Sequence, residues 1–187
     1  ELALDIFNED DIVFEKDEFP RPDTTLEKLS KLPLIYGSPT VTAGNAPGLD
    51  TGASAILVMS EEKAREKGLK PLAKILSMVA TATTPRLIAA IPGFTIQKAL
   101  DKAQRTLDQV DLIEINEAFA VQALACISEL KLRPDQVNQR GGAIALGHPI
   151  GASGARVLVT LLHLMEDLNL HRGIASLCIG GGMGIAT

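Results

Sequence analysis

The sequence predicts an α/β protein in which helices are layered on a sheet. Three observations carry that prediction. Short, nearly continuous apolar runs recur along the chain, capped amphipathic stretches separate them, and the resulting order is β-α-β-α-β-α-(glycine loop)-α-β-β. Alternation of this kind builds helix-covered sheets, because each element must bury one apolar face against another.

Each element has a local reason. Residues 1–40 hold most of the local acidity together with Pro20, Pro22, Pro33 and Pro39, so only TTLEKLSKL at 24–32 reads as a short helix there. TGASAILVMS, 51–60, is too short for a lone helix and reads as a buried strand. In SEEKAREKG, Ser60 is the expected N-cap, acids fill the first turn, bases follow, and Gly68 marks the stop. PLAKILSMVATAT, 71–83, reads as a second strand. FTIQKALDKAQRTL, 94–107, reads as a helix with Phe94 or Ile96, Ala99, Leu100, Ala103 and Leu107 on one side. VDLIEIN, 110–116, is the third strand, after which Asn116 can cap a helix running to Leu130. A further helix covers 153–168, and GIASLCIGG and MGIAT finish the chain as two strands around a glycine turn. In that helix Val157, Leu158, Val159, Leu161, Leu162, Leu164, Met165 and Leu168 cover most of the circumference. Such a helix is expected to be buried on nearly every side, which calls for a further layer from a missing domain or a partner chain.

Composition narrows the function. A chain of 187 residues, 46% apolar, is long enough for a real core and about one domain in size. Its net charge of -5 and the lack of a Lys/Arg cluster argue against nucleic acid as a partner. Apolar runs end well short of the roughly 18 residues of a membrane span, and the acidic start does not read as a secretory signal. The first residue is Glu, so the chain is expected to be a fragment or a processed piece. Cys126 and Cys178 read as free thiols in a reducing, cytoplasmic setting. His148, His163 and His171 show no metal-ligand spacing, and His163 and His171 read as residues without chemistry.

Three motifs stand at element ends, where functional groups of layered α/β folds collect. They are NEAFA (Asn116–Ala120), GHP (Gly147–Pro149) and CIGGG (Cys178–Gly182). Taken singly each has a structural explanation: Asn116 as a helix cap, His148 as a loop-bonding imidazole, Cys178 as a core thiol. Taken together they point to chemistry on a substrate oxygen. A histidine near a cysteine can accept its proton, and glycine two residues after a cysteine lets a backbone N–H come close to a substrate oxygen. Glycines at 141, 142, 147, 151 and 154 crowd the one histidine, as expected of a chain that must turn tightly beside a bound group.

In this order and at these separations, NEAFA, VNQRGGAIALGHPIGASGAR and CIGGGMGIA resemble the C-terminal half of the thiolase (acetyl-CoA acetyltransferase) family, and VTAGNAPGLDTGASAILVMS resembles its entry into the C-terminal domain. The resemblance covers essentially the whole chain. It implies a thiolase-like fold in which residues 1–45 end the loop domain and 46–187 form a C-terminal β-α-β-α-β-α-β-β half stacked on an N-terminal half. It implies ping-pong transfer between acyl-CoA and CoA or acetyl-CoA, with the CoA thioester as substrate and no other cofactor or metal. His148 matches the histidine that activates a nucleophilic cysteine and binds the thioester oxygen. Cys178 matches the acid/base at the α-carbon, Gly180 the N–H donor of one oxyanion hole, and Asn116 the asparagine that holds a water in the other. Ala118, Phe119 and Gly147 are implied to line the CoA and acyl channel, and Gly151 and Gly154 to let the next helix pack closely. The nucleophile is implied to lie in the N-terminal half, since Cys126 sits in a helix outside its motif and reads as core, so the isolated chain is expected to be inactive. That half would come from the same precursor or from a separate subunit, in a homo- or hetero-oligomer.

Two departures put acyl-chain length in doubt: Pro47 stands where many members have a serine contacting CoA, and LIAAIPGF, 87–94, replaces the usual Met-Gly-x-Gly-Pro segment. The alternatives are a CoA-binding or scaffolding module without turnover, and a ketoacyl-synthase-like condensing enzyme, against which Cys178 weighs.

Overall fold

In the computed structural model, residues 16–187 are described. Strands β1 (Val79–Ala82), β2 (Leu112–Ile115), β3 (Gly173–Ile179) and β4 (Met183–Ala186) form one sheet in the order β1-β4-β3-β2. β2 and β3 run parallel with Ile115 opposite Ser176, while β4 is antiparallel to both β3 and β1. The β3–β4 hairpin closes through Gly180–Gly182, where Gly181 and Gly182 take φ of 75° and 87°. A Cβ on Gly182 would stand 2.7 Å from the Thr83 carbonyl oxygen, so this turn requires glycine.

The helices are α1 (Leu26–Ser30), α2 (Glu61–Glu66), α3 (Ile91–Ala103), α4 (Ala120–Glu129), α5 (Ala143–Leu146) and α6 (Ser153–Asp167). Capping sets α2 as the sequence predicts: Ser60 Oγ accepts from the Lys63 amide. At its other end Gly68 lies at φ 64°, the Leu69 amide bonds Ala64 O and the Gly68 amide bonds Arg65 O, a Schellman motif. α3 begins three residues earlier than the sequence suggested, with Pro92 in its first turn, where a missing N–H costs nothing. Its buried stripe is Ile91, Pro92, Thr95, Ile96, Ala99 and Leu100, and Phe94 lies outside it, 46% exposed.

The pleat sends alternate residues to two cores. Ile113, Ile115 and Ile174 pack with Ile96 and Leu100 of α3 and Cys126 of α4, while Leu112 and Ala175 pack with Val157, Leu161 and Leu164 of α6. β2 is buried on both faces, as a parallel strand under helices must be.

Two expectations are corrected. The apolar run 51–60 forms no strand, and of 71–83 only Val79–Ala82 enters the sheet. Leu57, Val58, Leu72, Ile75 and Leu76 are all more than half exposed. A strand is a pairing and not a local property, and these runs have no neighbouring ladder among the described residues. Within this chain α6 is buried along one face: Leu158, Val159, Leu162 and Met165 are half-buried and Leu168 is exposed.

Candidate functional site

Asn116 and Cys178 lie at the edge formed by the C-terminal ends of β2 and β3, and His148 lies on the turn between α5 and α6. Asn116 directly follows β2, and its amide donates to Ser176 O at 3.0 Å, extending the parallel ladder by one residue. The outer side of β2 is closed by Asn138, whose side chain imitates a strand: the Ile115 amide donates to Asn138 Oδ1 and Asn138 Nδ2 donates to Ile115 O, both at 2.8 Å. Asn116 therefore sits on a fixed platform. Its side chain is buried, yet neither Oδ1 nor Nδ2 meets a hydrogen-bond partner among the described residues. Such a group is costly unless something else satisfies it. The helix-cap explanation of Asn116 falls: α4 starts at Ala120 with Phe119 at the N-cap position.

The rest of NEAFA is held from three sides. Glu117 Oε2 accepts the Ile144 amide at 3.0 Å, tying this segment to α5 just before the histidine loop. A Cβ on Gly142 would meet that carboxyl group at 2.4 Å. The half-buried Ala118 directs its amide to Asn116 O and Gln122 Oε1, and the Ala120 amide donates to Asn45 O. Phe119 is 36% exposed at the head of α4.

His148 is half-buried on the turn between α5 and α6. Gly147 before it takes φ 97°, and a Cβ there would stand 2.6 Å from Asp50 Oδ2. That same oxygen accepts the His148 amide at 2.9 Å, so a carboxylate almost a hundred residues away pins the loop. The imidazole Nδ1 lies 2.6 Å from Ser153 Oγ in the first turn of α6. Burial and the nearby Arg156 push the His148 pKa down, with Asp50 opposing them, so the ring is neutral at neutral pH. Gly151 and Gly154 do not serve close packing within this chain: a Cβ at either would meet nothing within 4 Å.

Cys178 lies near the end of β3, half-buried and not disulfide-bonded. By pleat parity it shares a face with Ile174 and with Ser176, whose hydroxyl bonds Pro92 O of α3. Burial pushes its thiol pKa up, so the resting side chain is a neutral thiol able to give a proton. Gly180, exposed beyond it, would place a Cβ against nothing in the chain. Cys126, by contrast, is buried in α4 against Gln122 and Ala89 O.

Asn116 follows the parity of Leu112 and Glu114 toward α6, and Cys178 that of Ser176 toward α3. They share the strand-end edge and not one face, and no hydrogen bond links Asn116, His148 and Cys178 directly among the described residues. Beneath them Glu114 is buried facing α6, its pKa raised to about 7 by desolvation, with Arg156 opposing and Glu117 adding to the rise. Asp50, Ser153, Asn138 and Glu114 were not singled out from sequence. Their contacts span between 5 and 98 positions and follow no helical or strand period, so no local signal exposes them.

The sheet, its two helical layers and the strand-end edge define an α/β protein of the thiolase fold. The crystal structure of acetyl-CoA acetyltransferase from Bacillus anthracis matches with a TM-score of 0.90 at 48% identity, over 94% of this chain and 45% of that one. Human mitochondrial 3-ketoacyl-CoA thiolase in complex with CoA matches with a TM-score of 0.84 at 40% identity, over 93% and 44%. Residues 69–187 match the thiolase C-terminal domain and residues 3–62 the thiolase N-terminal domain, and the chain belongs to the thiolase family. Among its relatives, an acetyl-CoA acetyltransferase of Chromobacterium violaceum is 52% identical over 178 residues, and a probable acetyl-CoA acyltransferase of Staphylococcus epidermidis is 50% identical over 179. Each match covers 95% of this chain and 45% of the relative, so the chain spans about half the length of the curated relatives it matches.

Proposed function

We propose that this chain is the C-terminal part of a thiolase that transfers acyl groups between acyl-CoA and CoA or acetyl-CoA, by thiolytic cleavage of a 3-ketoacyl-CoA or the reverse condensation. The observation that carries the reading is the buried Asn116 carboxamide, without a hydrogen-bond partner among the described residues, at the same strand-end edge as Cys178. Its dipole and the backbone N–H at Gly180 are groups that can stabilise negative charge on a thioester oxygen.

In this reading a cysteine of an N-terminal half attacks the acyl carbonyl after giving its proton to His148, CoA leaves as a thiol with a proton taken from Cys178, and an acyl-enzyme remains. Cys178, now a thiolate, removes the α-proton of acetyl-CoA. The resulting enolate carbon attacks the acyl-enzyme and frees the first cysteine, which takes its proton back from His148. Ala118, Phe119 and Gly147 border the channel for the CoA arm, and the thioester is the substrate, with no further cofactor. Residues 1–45 belong to the loop domain and 46–187 to the C-terminal domain. A cytoplasmic, oligomeric enzyme is part of the same proposal.

The test is acetoacetyl-CoA thiolysis by the purified chain, alone and joined to the N-terminal half of a close relative. The expected result is no turnover alone and turnover when joined. Robust activity of the lone chain would overturn the assignment of the nucleophile. A joined protein that binds CoA without turnover would favour a scaffolding role.

A further inference from the structure

We propose that Ser153 fixes the His148 imidazole in its Nδ1–H tautomer, leaving Nε2 as the nitrogen that takes up a proton. Ser153 is thereby a positioning residue, and the inference rests on the role of His148 proposed above.

The assignment follows from counting protons. Ser153 Oγ lies 2.6 Å from His148 Nδ1 and 3.0 Å from Pro149 O. A serine hydroxyl has one proton to donate, and a carbonyl oxygen can only accept. If that proton goes to Pro149 O, the hydroxyl keeps lone pairs to receive Nδ1–H, and both contacts are attractive. If it goes to Nδ1, two oxygens face each other at 3.0 Å with no hydrogen between them. Pro149 O cannot turn away, because it also accepts the Ala152 and Ser153 amides at 2.8 Å each. Nor can water relieve the contact, since Ser153 is 1% exposed. The remaining hydrogen bond of a histidine decides which nitrogen does chemistry.

The choice of a hydroxyl has a consequence. Ser153 accepts from Nδ1–H whether the ring is neutral or protonated, so the bond survives proton uptake at Nε2. Unlike a carboxylate partner, it adds no negative charge that would favour the imidazolium in the resting state. The ring is thus oriented without being charged in advance, in line with the downward pull of burial and Arg156.

The direct test is a long-range proton–nitrogen correlation spectrum of the 187-residue chain with histidine isotope-labelled at both ring nitrogens. The His148 resonances are identified by their loss in His148→Asn. Wild type is expected to carry its proton on Nδ1. Ser153→Ala is expected to shift the tautomer ratio toward Nε2–H by about tenfold, the worth of one net hydrogen bond, and Ser153→Thr to restore it. In the joined enzyme, Ser153→Ala should lower kcat by about tenfold with KM changed less than about twofold. A proton found on Nε2 in the wild-type chain overturns the inference even if Ser153→Ala fails to fold, and so does an Nδ1–H retained in Ser153→Ala. Full turnover by His148→Ala in the joined enzyme would instead remove the functional reading on which the positioning role rests.

Discussion

Gly147 shows how much of the site depends on one missing methyl. Its φ of 97° is a conformation that side-chain-bearing residues rarely adopt, and its open side is filled by the Asp50 carboxylate that holds the His148 amide. Gly147→Ala is expected to cost about 1–3 kcal/mol of stability from backbone strain, and to displace Asp50 as well. Gly151→Ala is the control, because its φ is not positive and nothing lies within 4 Å of the new atom. Urea unfolding of the two variants checks this: equal midpoints would show that the histidine loop tolerates a Cβ and that Asp50 is not a constraint. Burial and the neighbouring Arg156 lower the pKa of the half-buried His148 ring, and the Asp50 carboxylate opposes them.

Between β2 and α6 the structure holds a carboxylate where a leucine would pack. Glu114 is buried between Leu112 and Asn116, and desolvation raises its pKa to about 7 against the pull of Arg156. An unfolded glutamate titrates near about 4.3. Between that value and about 7 the folded protein keeps a proton that the unfolded chain has already lost. Stability should therefore fall as pH rises through this window and level off above it. Glu114→Gln removes the titration, so its unfolding free energy should lack the decline that wild type shows between about pH 5 and about pH 7.5. Chemical denaturation across that range decides it: parallel curves for the two proteins would mean that Glu114 is ionised throughout.

At the scale of the whole molecule, one region does not match its own composition. Leu57 and Val58 are 79% and 67% exposed, and Leu72, Ile75 and Leu76 are each above half, although the runs that contain them read as buried strands. α6 repeats the mismatch, buried along Val157, Leu161 and Leu164 while its other apolar residues, Leu158, Val159, Leu162 and Met165, are only half-buried. A chain that spans about half of its relatives accounts for both, if the other half supplies the covering layer. Joining the N-terminal half should slow amide exchange across 51–60 and 71–76 by more than about tenfold. Unchanged exchange there, in a joined protein that turns over, would show that these runs do not form the contact between halves.

Local chemistry was enough to determine several elements. Ser60 and Gly68 bound α2 by side-chain and left-handed capping that need only neighbours in sequence, and the two strands around Gly180–Gly182 follow from apolar runs meeting at a glycine turn. The motifs of Asn116, His148 and Cys178 were legible because element ends carry punctuation that a sequence displays. What the sequence could not determine was which apolar runs pair: 51–60 and 71–78 have the composition of strands, yet a ladder needs a second strand at the right distance. Nor could it show that Asp50 holds the His148 loop, that Ser153 meets the imidazole, or that Asn138 closes the edge of β2. Those are hydrogen bonds of a few ångströms between residues whose spacing along the chain obeys no period, and only the packed tertiary structure brings them within reach.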